Sequence, residues 1–293
     1  MKKNFLVTVS NDIENLCGVQ FLCSFFKKIS KHHITLFHIC RLDCNDMNKS
    51  LMEMWESPES KVSGNLTVGA KRSLDKAQEM LGQSTMSIDL MKIKTVAERY
   101  GKVKDILHEG SEGLYDAIIL GRRASYTLQW LFDRPADETA QAMIRSSNFS
   151  TPLWICPQPG DGRKNVLVCV DGSANSLRAV DHAGYMLANQ DQHSITLFHV
   201  ESNTSSKANE YFDQATALLQ GHTIVDERIS RKSTWGIGPV GSILSEADRG
   251  NYAAVALGLH GQESGLLKDL NLAGGTTAKL INKIEGAALW CCP

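Results

Sequence analysis

The chain has almost no imbalance of charge: 31 lysines and arginines face 32 aspartates and glutamates, for a formal net charge of −1. A polyanion-binding surface needs an excess of cations, and no long basic run stands out, so nucleic acid is not an expected partner. Long apolar runs are missing too. The opening Met1-Lys2-Lys3-Asn4 leads into Phe5-Leu6-Val7-Thr8-Val9, too short for the core of a secretory signal, and no later stretch approaches the ~20 residues of a bilayer crossing. The expected setting is soluble and cytoplasmic, with no membrane partner. Metal-ligand spacing is nearly absent as well, since Cys40 and Cys44, with His38 nearby, lack a second pair of ligands. No serine or cysteine nucleophile with a base partner is recognisable, which leaves enzymatic turnover without a visible general base. Cysteine is the one surplus, at eight. Cys40 and Cys169 fall in or at the end of strand-like apolar runs, where a thiol acts as a small hydrophobe.

What the chain does contain is a repeat of itself. Ile34-Thr35-Leu36-Phe37-His38-Ile39 returns as Ile195-Thr196-Leu197-Phe198-His199-Val200, and at the same offset of 161 Phe5 to Ser10 lies over Val166 to Asp171. Later blocks keep the order at a shorter offset: Asp116 to Gly121 matches Ala253 to Gly258, and Thr151 to Pro157 matches Ala287 to Pro293. The difference is one insertion in the first half, most simply Cys44 to about Asn65. A period this long means duplicated domains rather than a solenoid. The expected division is 1–157 and 165–293, separated by the compact linker Pro157-Gln158-Pro159-Gly160-Asp161-Gly162.

Within each half short apolar runs alternate with longer amphipathic ones. In the second half the pattern predicts strands at 165–170, 194–200, 223–230, 253–258 and 287–292, with helices near 174–189, 205–220, 239–249 and 275–285. Alternating strand and helix implies right-handed crossovers and a parallel sheet covered on both faces, an α/β doubly wound fold occurring twice in tandem. Such a sheet binds its ligand at the carboxyl ends of the strands, where strand order reverses. If the first and fourth strands are neighbours, the loop Asp171-Gly172-Ser173 faces the loop that begins at Gly258.

That second loop, Gly258-Leu259-His260-Gly261 and then Gly275-Thr276-Thr277, sits on a strand-loop-helix unit. Glycine lets a backbone approach a ligand closely, and a helix starting at Thr276 turns unpaired N–H groups toward an anion. His260 lies inside the loop, within reach of a phosphate. A competing signal, Gly236, Gly238 and Gly241 in the dinucleotide-binding spacing, has the wrong context. The segment before it, Glu227 to Lys232, is too charged for a central first strand, and the strand after it ends without the acid that would hold a ribose. A turn and a proline-started helix at Pro239 account for it.

Val170-Asp171-Gly172-Ser173 at the end of an apolar strand, His199-Val200 at the end of the next, and the spaced glycines after the fourth resemble the universal stress protein family, here as a tandem pair covering essentially the whole chain. The spacing departs from the family's pattern, with thirteen residues rather than nine between Gly261 and Gly275. The resemblance implies a five-stranded parallel sheet per repeat, of the adenine nucleotide alpha hydrolase-like kind. It also implies a regulatory stress-response protein that binds ATP or AMP, with or without Mg2+, and at most hydrolyses ATP slowly. On the family's pattern Asp171 contacts the adenosine, Val170 and Leu257 flank the base, and Gly258, Gly261, Gly275 and Thr276, beside Thr277, hold the phosphates. The family pairs its last strands between two domains, implying a homodimer or a pseudo-dimer within the chain. A protein partner is expected but not identified, and the alternative function is a dimerising scaffold that binds no nucleotide.

The first half keeps the scaffold and changes the loops. Ser10 replaces Asp171, Asn11-Asp12 replaces Gly172-Ser173, and Gly121-Arg122-Arg123-Ala124 replaces the spaced glycines. The next helix pattern opens with Asp133, Asp137 and Glu138, acids that satisfy a helix dipole and repel phosphate, whereas Gly274 to Lys279 contains none. One nucleotide site per chain is therefore expected, in the second half, with Arg122 and Arg123 as a solvated pair.

Overall fold

The computed structural model describes residues 2–27, 29–40, 66–84, 90–122, 143, 150–201, 207–236, 238–259 and 276–293. One sheet of ten strands runs through them. The first half supplies β1 (Asn4–Thr8), β2 (His33–Cys40), β3 (Met91–Ala97), β4 (Ala117–Gly121) and β5 (Leu153–Cys156). The second supplies β6 (Val166–Cys169), β7 (Ile195–Glu201), β8 (Ile229–Trp235), β9 (Ala254–Gly258) and β10 (Ala288–Cys292). Their order is β3-β2-β1-β4-β5-β10-β9-β6-β7-β8. Every neighbouring pair is parallel except β5 and β10, which meet antiparallel.

The short apolar runs become strands because both their faces are covered. Phe5, Val7, Leu36, Ile119, Val166 and Val168 point to one core, and Leu6, Phe37, Ile118, Leu167 and Val255 to the other. The first core is roofed by α1 (Cys17–Phe25), α2 (Val68–Gln83), α4 (Ala174–Leu187) and α5 (Ala208–Gly221). The second is roofed by α3 (Lys102–Glu112), α6 (Pro239–Gly250) and α7 (Thr276–Ile281). Each core is continuous through both halves, so alternation along the strands serves two layers of helix at once.

The sequence repeat returns as repeated contacts. His38 Nδ1 bonds the Val9 carbonyl at 2.7 Å, and His199 Nδ1 bonds the Val170 carbonyl at 2.7 Å. The Tyr115 hydroxyl donates to Glu109 at 2.9 Å, and that of Tyr252 to Glu246 at 3.0 Å. His38 and His199 are thus ties between adjacent strands, as their place at a strand end suggests.

One strand differs from the expected pattern. The third strand of the second half runs from Ile229 to Trp235 rather than over 223–230. Ile224 is buried in the approach to the strand, and Asp226–Arg228 form a 3-10 turn. The charged stretch that follows is an edge strand, with Arg231 bonded to Asp213 on one helix and Lys232 to Glu246 on another. Cations along an exposed edge discourage pairing with a further strand. The Gly236 to Gly241 stretch is the turn into α6, with Gly238 at its N-cap and Pro239 in its first turn.

The seam between the halves is the antiparallel pair. Trp290 is register partner to Trp154, both fully buried, and their rings stack with centroids 4.1 Å apart and planes 7° from parallel. The Trp154 indole N–H donates to His182 Nε2 at 2.9 Å. Around this stack Lys3 Nζ donates to the Tyr185 carbonyl, and His193 Nε2 bonds the Phe25 carbonyl at 2.9 Å. Replacing a buried tryptophan here with alanine is expected to cost about 3–5 kcal/mol.

Burial lowers the pKa of His182 to about 3, aided by the Lys3 charge, so the ring is a neutral acceptor for Trp154. An unfolded histidine titrates near 6.5, so as pH falls the unfolded chain takes the proton first. The contribution is complete above about pH 6.5 and is lost below it, by up to about 1.4 kcal/mol per pH unit, until the folded group titrates. His182→Gln keeps an acceptor and removes the titration. In urea unfolding between pH 6.5 and 4.5 the variant should lose stability more gently than wild type, by about 1 kcal/mol per unit, and parallel pH curves would rule the assignment out.

Candidate functional site

In the second half strand order reverses between β6 and β9, which lie side by side with Val168 opposite Ala256. Their carboxyl ends therefore open a crevice, the place where open α/β sheets bind ligands. Val170, buried, donates its N–H to the Phe198 carbonyl at 2.9 Å, and its own carbonyl is bonded by His199 Nδ1 at 2.7 Å. Asp171, half-buried, accepts the Ser173 N–H at 2.9 Å, which folds the chain into a tight turn. Ser173 then caps α4, its hydroxyl accepting the Ser176 N–H at 3.1 Å. Gly172 has φ +77°, and a side chain there would strike the Tyr211 ring, so only glycine fits. Tyr211, on α5, stands edge-on to His199 with centroids 5.3 Å apart. It walls the crevice, and no motif in the sequence marks it.

Leu257 is buried and Gly258 half-buried at the end of β9. A Cβ on Gly258 would come within 2.5 Å of the Asn175 carbonyl carbon and 2.7 Å of the Ser176 nitrogen. Gly121, its counterpart, meets Asn15 in the same way at 3.0 and 3.1 Å. Close approach of the strand end to the chain that starts the helix favours a glycine in both halves, more strictly at Gly258, so Gly258 alone does not single out a phosphate. α7 links β9 to the neighbouring parallel β10 and so starts at the carboxyl edge of the sheet. Thr276 and Thr277 open it there, Thr277 buried and the first turn free of acids. The structure thus brings together Val170, Asp171, Leu257 and Gly258, and sets Thr276 and Thr277 on the same edge. His260, Gly261 and Gly275 lie outside the described residues.

Thiol chemistry finds no support at this edge. Burial, and then the Asp171 carboxylate, push the Cys169 thiol up to about 12, and burial likewise raises Cys292. Two clefts among the described residues border the seam instead of the crevice. One, of about 210 Å³, lies between α4 and the start of β5 at Arg178, Tyr185 and Pro152; the other, of about 190 Å³, lies between α1 and the linker at Phe25, Gly160 and Arg163.

The equivalent edge of the first half is built differently. Ser10 and Asp12 bond main-chain N–H groups of their own loop at 3.2 and 3.1 Å, and α1 begins after Leu16 without a side-chain cap. Arg122 corrects an expectation: it is buried, not solvated. Its guanidinium donates to the carbonyls of Ile281 and Ile284 across the seam. Arg123 and the acids at 133–138 lie outside the described residues.

The model of the Universal stress protein family matches residues 162–286, which span the crevice, its two flanking strands and α7. Residues 162–286 thus form a universal stress protein domain. The chain also shares its fold with solved structures over both halves. A universal stress protein from Archaeoglobus fulgidus is similar at 15% identity, with a TM-score of 0.68, over 100% of this chain and 99% of its own. A putative universal stress protein from Pseudomonas aeruginosa is similar at 15% identity and TM-score 0.52, over 99% of this chain and 93% of its own. Identity at that level speaks for the fold alone. No curated protein matches the sequence.

Two substitutions test the glycine reading of the crevice. Gly258→Ala forces a methyl against helix backbone and should destabilise the protein by about 1–3 kcal/mol, whereas Gly121→Ala, meeting a side-chain oxygen and a looser carbonyl, should cost less. Equal and negligible losses in urea unfolding would show that the strand and helix are not in close approach.

Proposed function

We propose that this protein is a stress-response regulator of the universal stress protein kind that binds ATP or a related adenine nucleotide, such as AMP, in its second half, within a domain at 165–293. The observation that carries this reading is the difference between two copies of one scaffold. At the switch point of the second half stand an anchored aspartate, a serine-capped helix and an acid-free helix start at Thr276. In the first half Ser10 stands for Asp171, α1 begins without a side-chain cap, and the residue after β4, counterpart of Leu259, is a buried arginine.

The residues fit an adenine nucleotide in kind. Asp171 offers a carboxylate to ribose hydroxyls, Val170 and Leu257 offer apolar flanks to a base, and Thr276 and Thr277 offer hydroxyls and helix N–H groups to phosphates. His260, Gly261 and Gly275 complete the phosphate side in this reading, with Mg2+ neutralising charge when ATP is the ligand. In this reading the role is regulatory binding with at most slow hydrolysis. The scaffold alternative would need a surface other than the last strands, because β5 and β10 already cover each other's edges.

The test is direct. Protein purified without added nucleotide is heat-denatured and the supernatant analysed for adenine nucleotide; calorimetry then measures ATP and AMP binding. Asp171→Ala should weaken binding about tenfold or more, the cost of a lost hydrogen bond to a charged group, and Gly275→Glu should abolish it by setting an anion at the phosphate position. Unchanged affinity in both variants, or no nucleotide bound by wild type, would refute the proposal and leave the scaffold reading.

A further inference from the structure

Arg122 stands one residue beyond β4, where its N–H donates to the Cys156 carbonyl at 2.7 Å. Its side chain leaves the first half altogether. Only 7% exposed, it carries its guanidinium to the end of α7, Nη1 donating to the Ile281 carbonyl and Nη2 to that of Ile284. Carbonyls at a helix C-terminus have no intrahelical partner and carry the negative end of the dipole. Here the Leu280 carbonyl already accepts the N–H groups of Lys283 and Ile284 at 3.0 and 2.9 Å, and the next free carbonyls go to the arginine. A rigid fork with two donors matches two acceptors in a way that an ammonium does not. The counterpart position in the second half is Leu259, whose N–H keeps the main-chain bond to Cys292 at 2.9 Å but whose side chain can donate nothing.

We propose that Arg122 is a positioning residue through which the first half holds α7, and with it the Thr276–Thr277 end, in place. Thr276 lies fewer than two turns from the Ile281 end of α7, a distance over which an unsupported helix end frays in water. Fraying that begins at Ile281 reaches Thr276 within the same six residues. A cap at the far end therefore governs order at the near end, and the half without the acid-free helix start supports the half that has it. The consequence for ligand rests on the adenine-nucleotide reading above; the hold on α7 does not.

The test uses the full chain with Arg122→Met and Arg122→Lys, and two readouts. Hydrogen exchange of ligand-free protein follows the amides of 276–284 against those of β9, and calorimetry measures binding of ATP with Mg2+. In Arg122→Met, exchange over 280–284 should quicken about tenfold or more while β9 stays protected. ATP affinity should fall about fivefold or more. Arg122→Lys should lie between, since a lysine satisfies one carbonyl at a time, and it serves if the methionine variant does not fold. Wild-type protection of α7 in both variants overturns the proposal. Lost protection with unchanged ATP affinity overturns its ligand part. Lost protection in a protein whose wild type binds no ATP upholds the hold on α7 and removes the nucleotide reading alone.

Discussion

The stack of Trp154 on Trp290 is the contact on which the architecture depends. Each ring ends a half that could otherwise stop at an open strand edge, and an open apolar edge invites pairing with another chain. Placing the two edges antiparallel closes both at once, and it relates the halves by an approximate twofold through the stacked rings. The cores then merge on both faces of one sheet. Breaking that stack would expose two strand edges together with the apolar layer beneath each. A residue placed near the axis in one half is thereby a neighbour of the other half, a property that neither half has alone.

That geometry explains why the seam is polar as well as aromatic. His182 accepts the Trp154 indole N–H, while its counterpart in the first half is Phe21, and the Trp290 indole nitrogen has no hydrogen-bond partner. Lys3 is buried over the Tyr185 ring, 3.1 Å from its centroid, and burial, partly offset by Asp116, lowers its pKa to about 8. The cost of burying such groups is met by main-chain acceptors on the opposite half, Tyr185 for Lys3 and Phe25 for His193. Main-chain carbonyls are obligatory acceptors whatever side chain they carry, so a seam built on them tolerates divergence between the two copies. The approximate symmetry holds in the backbone and fails in the side chains.

Much of the fold was legible in the sequence because it is written locally. Apolar runs of strand length, the capping Ser173 before α4 and Pro239 at the start of α6 each announce their element within a few residues. The adjacency of β6 and β9, and hence the meeting of Asp171 with Gly258, follows from the topology of a doubly wound sheet once the order of elements is known. What escaped is what has no local signature. Arg122 looks like any exposed arginine, because its partners are carbonyls 159 and 162 residues away and a carbonyl leaves no mark on composition. Ile229 to Trp235 escaped for the opposite reason: an edge strand protected by charge suppresses the apolar pattern by which strands are found. Gly258 was legible as a special position, but its reason was not, since Gly121 shows a milder form of the same close approach without the rest of the site.

The two observations at the end of β4 and β9 bear on each other. A loop that holds phosphate must keep its backbone free to approach the ligand, with small residues and no charge of the wrong sign nearby. A loop that sends a guanidinium through the seam has committed its first residue to a buried geometry, since the cation is stable there only while its carbonyl partners stay in place. Position 122 cannot serve both ends. In the first half Arg122 turns inward to carbonyls of the second; in the second half Leu259 offers the seam no side-chain donor. On the proposed reading the difference between the halves is a division of labour, because α7 has Thr276 at the carboxyl edge of the sheet and its other end against the arginine.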